Sequence, residues 1–381
     1  MKVQDIISLL QNAAPLFLQE DYDNAGLITG NAGWECTGAI VSLDATEDVI
    51  KEAIEKKCNL VIAHHPIVFK GLKKITGKNY VEQTIITAIK NDIAIYAIHT
   101  NLDNVPDGVN GKIADLLGLV NRSILAPKAN LLQKLAVYVP ENNKEMLMDV
   151  LFAAGAGNIG HYSECSFSAD GLGSFKAGQG TNPFVGNVGE RHLEAEVKLE
   201  VIFPVWLQNQ VVNSMKAAHP YEEVAYDVYN LANEYQQTGS GLAGELKEAI
   251  SETAMLQILQ NIFNIPFIKH TKLTGRLIKK VAVCGGAGSF LTGAAIAAGA
   301  DIYITGDIKY HEFFDAEAKL VLADIGHYES EQFTIDLLFD LLRNKFPNFA
   351  VLKTGVNTNP VHYFTAYLNR TIRYKGVTQR C

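Results

Sequence analysis

The pattern that most constrains this chain is one α/β unit written twice. GAIVSLDATEDVIKEAIEKKCNLVIAHHP reads as an apolar strand, a helix with apolar residues at helical spacing, and a second apolar strand ending on a histidine pair. KKVAVCGGAGSFLTGAAIAAGADIYITGD reads in the same order. Each unit is followed by a further short apolar strand, AIYAIHTNLD in the first half and LVLADIGHYESE in the second, and each of these closes on a histidine with a carboxylate four residues later. Strands alternating with helices at this spacing imply mostly parallel sheet, whose ligands gather beyond the carboxyl ends of the strands. Two such halves facing each other could share one site.

A length of 381 residues sets a prior of two or three domains, each able to bury its own core. From Leu131 to Asn230 the character changes. KLAVYVP, HYSECSFSAD, RHLEAEVKLEVIFP and VAYDVYNL read as strands, with NKEMLMDVLFAAGA and LQNQVVNSMKAA as helices between them. That order is a split βαβ, ferredoxin-like α+β unit of about 100 residues. APKAN before it and NEYQQTGSGLAG after it carry the turn and small polar residues expected of linkers. The expected division is a two-part core, residues 1–130 and 231–381, with an inserted domain at 131–230.

A net charge of -8, with Lys and Arg scattered and no basic run, argues against nucleic acid as the main partner. A small anionic ligand would need local positive charge, which a metal can supply. The cysteines Cys36, Cys58, Cys165, Cys284 and Cys381 are odd in number and form no C-x-x-C pair, so they read as free thiols in a reducing compartment. MKVQDIISLLQNAAPLFLQE reads as an amphipathic helix rather than a signal peptide, and no stretch approaches the roughly 18 unbroken apolar residues of a membrane span. The expectation is a soluble, cytoplasmic protein.

His64 and His65 stand where an apolar strand ends, and Pro66 disfavours helix at His65. Two diverging imidazoles at such an exit could each take one metal of a pair about 3.5 to 4 Å apart. A His-His pair alone reads as a packed or solvated strand end, and a His-x-x-x-acid element alone as a cap or surface ion pair. Three such elements at matching places in a repeated unit favour a shared site for two divalent metals. GHYESEQFTIDLLFDLL reads as a helix beginning near His327, so Glu331 could bridge two ions while His327 binds one. IHTNLDNVPDG is rich in turn formers, which brings Asp103 to the site from a loop. His99 is open between ligand, orienting group and substrate contact.

CGGAGSF lies between a strand and a helix, so Gly285, Gly286, Gly288 and Ser289 could cradle a phosphate, or simply let helix pack on strand. Asp307, Lys309 and His311 follow the second-half strand where the histidine pair stands in the first, and Asp307 could equally cap a helix. HPYEEVAYDVY, with His219, Glu222 and Glu223, reads as a helix stop followed by a strand and is not assigned to the metal. Mixed imidazole and carboxylate ligands suit zinc or iron first, then manganese, cobalt or nickel.

DNAGLITG (residues 23–30), VIAHHP, HTNLDN, VAVCGGAGSF, TGDIKYH and DIGHYESE together resemble the GTP cyclohydrolase 1 type 2 family, also called NIF-three-like. The resemblance spans both halves, and the middle segment resembles the insert, related to CutA and PII proteins, of longer members. It implies two divalent metal ions per subunit on His64, His65, Asp103, His327 and Glu331, and a ring-shaped homohexamer whose metal sites face an internal cavity. It also implies hydrolytic opening of the imidazole ring of GTP, with His311 or His99 moving protons. Two other classes remain open: a metal or ligand sensor that reports through the insert, and a ring-forming scaffold with structural metals.

Overall fold

A computed structural model describes residues 1–364. The first strands are β1 (Gly26–Thr29), β2 (Ala39–Asp44), β3 (Leu60–His65) and β4 (Ala94–Ala97), followed by β5 (Val120–Ala129). Next come β6 (Leu132–Pro140), β7 (Ser166–Lys176), β8 (Arg191–Pro204) and β9 (Tyr226–Leu231). The rest are β10 (Glu234–Ser251), β11 (Lys269–His270), β12 (Leu277–Ala287), β13 (Ile302–Gly306), β14 (Val321–Asp324) and β15 (Val351–Lys353). They form three sheets, ordered β1-β4-β3-β2-β15, β11-β14-β13-β12-β10-β5 and β7-β8-β6-β9. The fold is therefore α/β with a separate, fully antiparallel four-stranded α+β sheet.

In the first sheet β15, β2, β3 and β4 run parallel, as do β12, β13 and β14 in the second. Leu60, Val61, Ile62 and Ala63 of β3 are all buried, the continuous apolar run that a parallel strand covered on both faces needs. One apolar cluster joins the sheets: Val41 and Ile62 of the first share it with Val281 and Ile302 of the second, with Val109, Leu259 and Leu338 from helices between them. Each such fully buried side chain contributes roughly 1.5–3 kcal/mol. Helix Glu47–Glu55, capped by Thr46, and helix Tyr80–Lys90, capped by Asn79, cover the outer face of the first sheet.

Three sequence expectations need correction. APKAN and NEYQQTGSGLAG are not linkers but parts of β5 and β10, which pair as a long antiparallel ribbon running from the second sheet toward the four-stranded one. Small polar residues there satisfy close strand approach: a Cβ on Gly239 would lie 2.1 Å from Ala126 O. The helix expected to run on from His327 is two helices, His327–Glu331 and Thr334–Lys345. Asp103 ends a single helical turn, Thr100–Asp103, rather than sitting in a loop.

Candidate metal centre

The two parallel sheets bring their carboxyl ends together, and the five residues expected there converge. His64 and His65 end β3; Asp103 follows β4 by one short turn; His327 and Glu331 open and close the turn after β14. Nε2 of His65 and of His327 lie 3.0 and 3.2 Å from Oε2 of Glu331, and 3.4 Å from each other. Nε2 of His64 lies 3.8 Å from Oε1 of the same carboxylate and 3.7 Å from Oδ1 of Asp103. Potential ligand atoms fall within 4.8 Å of one another in three sets: His65, His327 and Glu331; His64, Asp103 and Glu331; and His64, His65 and His99. Glu331 joins the first two sets, one oxygen toward each.

Each ring is turned by an acceptor on its other nitrogen. His64 Nδ1 lies 2.8 Å from Ile98 O, and His65 Nδ1 2.8 Å from Oδ1 of Asp44. His327 Nδ1 lies 2.7 Å from Oδ2 of Asp307, and His99 Nδ1 2.7 Å from Oδ1 of Asp23. An acceptor at Nδ1 keeps the proton there and offers Nε2, the arrangement that orients metal-binding histidines. Sheet register explains one of these pairs directly, since Asp44 of β2 stands opposite His65 of β3.

The electrostatics call for a cation. Among the described residues, Nε2 of His64 and Oδ1 of Asp103 are buried without a hydrogen-bond partner, although such atoms are almost always paired in folded proteins. The 3.7 Å between them is too long for a hydrogen bond, and with Glu331 the two residues form one of the sets that could hold an ion. Burial, with Glu331 adding repulsion, raises the pKa of Asp103 well above the carboxylate range. Burial also acts against charge on Glu331, but the surrounding His327, His64 and His65 outweigh it and hold that carboxyl well below its usual range. Burial opposes charge on His65 too, yet Asp44 and Glu331 hold its imidazolium up to about 10; Glu331 and Asp307 likewise hold His327 up to about 9. Protons and a divalent cation would compete for these groups. The donor set of imidazole nitrogens and carboxylate oxygens fits such an ion.

Other expected residues fall differently. His311 is exposed on the short 3-10 helix Tyr310–Ala316, beside Tyr310 and Phe314, and does not line the cavity at the cluster. In the glycine loop the amide of Gly285 donates to Asn110 Oδ1, that of Gly286 to Ser330 Oγ and that of Gly288 to Thr305 Oγ1. Those N–H groups are already used, which is the packing alternative rather than a phosphate cradle. A Cβ on Gly286, whose φ is +65°, would sit 2.3 Å from Oε1 of Glu331, so glycine there makes room for the carboxylate. Ser289 heads the turn Ser289–Leu291. Asp307, at φ +55°, caps no helix and instead accepts from His327.

Sequence reading missed Asp23 and Asp44. Asp44 carried a signal: like the histidine pair, it is a polar residue closing an apolar parallel strand. Asp23 also accepts from Thr100 N at 3.0 Å and from the Thr100 hydroxyl, which ties the β1 approach to the helical turn bearing Asp103. The cluster opens into a cavity of about 1040 Å³. Among the described residues no helix is long and apolar enough to cross a membrane.

Residues 1–360 match the family model described as Duf34/NIF3 (NGG1p interacting factor 3). The chain is 41% identical over 327 residues to a GTP cyclohydrolase 1 type 2 homolog of Bacillus subtilis, covering 85% of this chain and 88% of that one. A Halalkalibacterium halodurans protein of the same name is 38% identical, with 94% and 97% covered. The solved Bacillus cereus protein related to NIF3 superposes with a TM-score of 0.83 at 36% identity, over 96% of this chain and 99% of that one. This chain belongs to the Duf34/NIF3 family.

Proposed function

We propose that the chain is a metal-dependent hydrolase of a small molecule, with two divalent ions held by His64, His65, Asp103, His327 and Glu331. The observation that carries this reading is a pair of buried atoms, His64 Nε2 and Asp103 Oδ1, that have no hydrogen-bond partner among the described residues and lie beside a cavity lined by Asp103. Zinc or iron is the expected metal. Two divalent ions there would supply Lewis acidity and acidify water toward neutrality, so that hydrolysis could run near pH 7.

The protein's own groups divide the remaining work. Glu331 would help hold both ions, since it turns one oxygen toward each histidine set. Asp44 and Asp307 orient His65 and His327 through their Nδ1 atoms. His99 lines the cavity with its Nδ1 fixed on Asp23, so its Nε2 is placed to hold or move a proton at the substrate. The name shared by the relatives makes GTP or a related nucleotide the first substrate to test. A cytoplasmic homohexamer with the antiparallel unit at 131–230 as an independent insert completes the proposal.

The test is metal analysis of protein purified without added metal, then a nucleotide hydrolysis screen before and after chelation. Two equivalents of metal and turnover lost on chelation and restored by zinc or iron are expected. Replacing His99 by Asn should keep the metal and slow turnover by about 100-fold or more. Metal-independent turnover, or a metal-loaded protein inert toward every compound tried, would overturn the hydrolase reading.

A further inference from the structure

We infer that the loop leaving β3, through Lys70, Lys73, Lys74 and Lys78, holds the phosphate chain of a small phosphorylated molecule whose other end enters the cavity. This deepens the hydrolase proposal and rests on it only for where the reacting bond lies. Lysine is scattered along most of the chain, but KGLKKITGK gathers four in nine residues, with no acid from Pro66 to Val81. The expectation of no basic run fails at this place. All four lysines are exposed, and among the described residues the lysines that form ion pairs lie elsewhere.

Topology puts this loop at the edge of the sheet that carries the metal cluster. β3 and β4 run parallel, so the helix Tyr80–Lys90 that joins them begins at the carboxyl edge, where His64 and His65 end β3. Residues 66–79 span that edge. Pro66 and Phe69 line the cavity, and the Phe69 ring stands edge-on to His99 at 6.2 Å. Lys70 comes next, one Cα step of ~3.8 Å further along the chain. The loop is held at both ends without using a lysine ammonium group. Ile67 and Val68 pack on the apolar cluster of the sheet's outer face, and Val68 O accepts from Asn24 Nδ2 at 2.6 Å. At the other end one oxygen of Glu82 accepts from Thr76 N, the Thr76 hydroxyl and Lys78 N at 2.7, 2.9 and 3.1 Å. A loop ordered beforehand loses less entropy when a ligand arrives.

The cavity wall itself offers a phosphate chain no unpaired lysine or arginine among the described lining residues. Its two lysines, Lys128 and Lys269, pair with Glu20 and Asp324, and the amides of Gly285, Gly286 and Gly288 are engaged within the protein. Unpaired cationic groups therefore begin just beyond Phe69. Lysine binds phosphate as a point charge, so such a loop reads the number of phosphates rather than the shape of what they are attached to. A nucleic-acid strand would run past the four lysines onto a chain of net charge -8, whereas a short phosphate chain ends within the loop.

The test is calorimetric binding of inorganic triphosphate and orthophosphate to the full chain, as purified and after chelation. Triphosphate should bind roughly tenfold or more tightly than orthophosphate, since it meets more of the lysines at once. Its affinity should fall as salt rises from about 0.05 to about 0.5 M, because exposed charges are screened. Lys73→Gln combined with Lys74→Gln should weaken triphosphate by about tenfold in both forms, as loss of charged hydrogen bonds does, with metal content unchanged. Lys56→Gln combined with Lys57→Gln removes the same charge at the opposite edge of the sheet, just after helix Glu47–Glu55, and should leave triphosphate within about twofold. Triphosphate binding that is lost on chelation and unchanged in the loop variant would overturn the inference, because the metals alone would then hold the phosphate. Equal losses in the two double variants, no measurable triphosphate binding, or tighter binding of a short single-stranded oligonucleotide through the same lysines would overturn it as well. No arm reads turnover, so these outcomes are independent of whether the metal supports hydrolysis.

Discussion

The two parallel sheets bring histidines to the same few ångströms in different ways. His64 from the first sheet is fully buried, its Nδ1 fixed on the main-chain carbonyl of Ile98 and its Nε2 without a partner among the described residues. His327 from the second is 37% exposed and is held by Asp307, whose own side chain is 56% exposed. A buried lone pair can be satisfied only by something brought to it, whereas an exposed ring can be hydrated when the site is empty. The first sheet therefore supplies the fixed half of the site and the second the half open to exchange, with Glu331 joining them.

The strongest way to break this comparison is to remove the junction. Glu331→Gln keeps the shape but removes the charge that His65 and His327 approach at 3.0 and 3.2 Å. Metal affinity should fall by more than about 100-fold, beyond the loss usual for an outer partner. The metal-free fold should also lose about 3 kcal/mol, since His65 and His327 would keep only Asp44 and Asp307 and lose the buried carboxylate that they share. Metal analysis and urea unfolding of the stripped proteins check both. Full metal occupancy in this variant would show that the two halves bind independently.

A sharper and smaller test sets the two orienting carboxylates against each other. Asp44→Asn and Asp307→Asn each replace the acceptor on a histidine Nδ1 by an amide. Asp44 is half-buried beside its strand partner and also accepts from the Thr358 hydroxyl at 2.6 Å, whereas Asp307 faces solvent. Competition with a zinc-binding dye should show a loss of about 100-fold for Asp44→Asn and about 10-fold for Asp307→Asn, the two ends of the range for such partners. Equal losses would mean that exposure does not distinguish the two sheets.

What the sequence made legible follows the same division. The repeated unit and its strand-end histidines could be read because an apolar parallel strand announces its own end, and a polar residue there is conspicuous. The parallel order of β2, β3 and β4 and of β12, β13 and β14 follows from that pattern. Asp23 was illegible as a partner of His99 because the contact crosses 76 residues and depends on how the segment before β1 folds back. The use of β5 and β10 as a ribbon was hidden by composition: their glycines serve close strand approach, and composition alone cannot separate that from a flexible turn. The glycine loop misled in the opposite sense, since its amides look free in sequence and are paired only through Asn110, Ser330 and Thr305.

The smallest expected effect is at His311, which the family resemblance had named with His99 for proton transfer. It stands at the second-sheet position equivalent to the histidine pair, but the chain leaves β13 into a 3-10 helix and turns the ring outward, against Phe314 and Tyr310. An imidazole that does not line the cavity cannot reach a proton on a molecule inside it, because transfer requires hydrogen-bond distance or one bridging water. His311→Asn should therefore leave metal content, stability and turnover within about twofold of wild type, inside the usual range for an exposed surface substitution. The measurement is steady-state turnover with metal analysis beside the His99→Asn variant. A loss of 100-fold at His311 with metal retained would mean that the helix Tyr310–Ala316 swings its histidine into the cavity during turnover, and that the second sheet contributes a mobile acid or base where the first contributes fixed ligands.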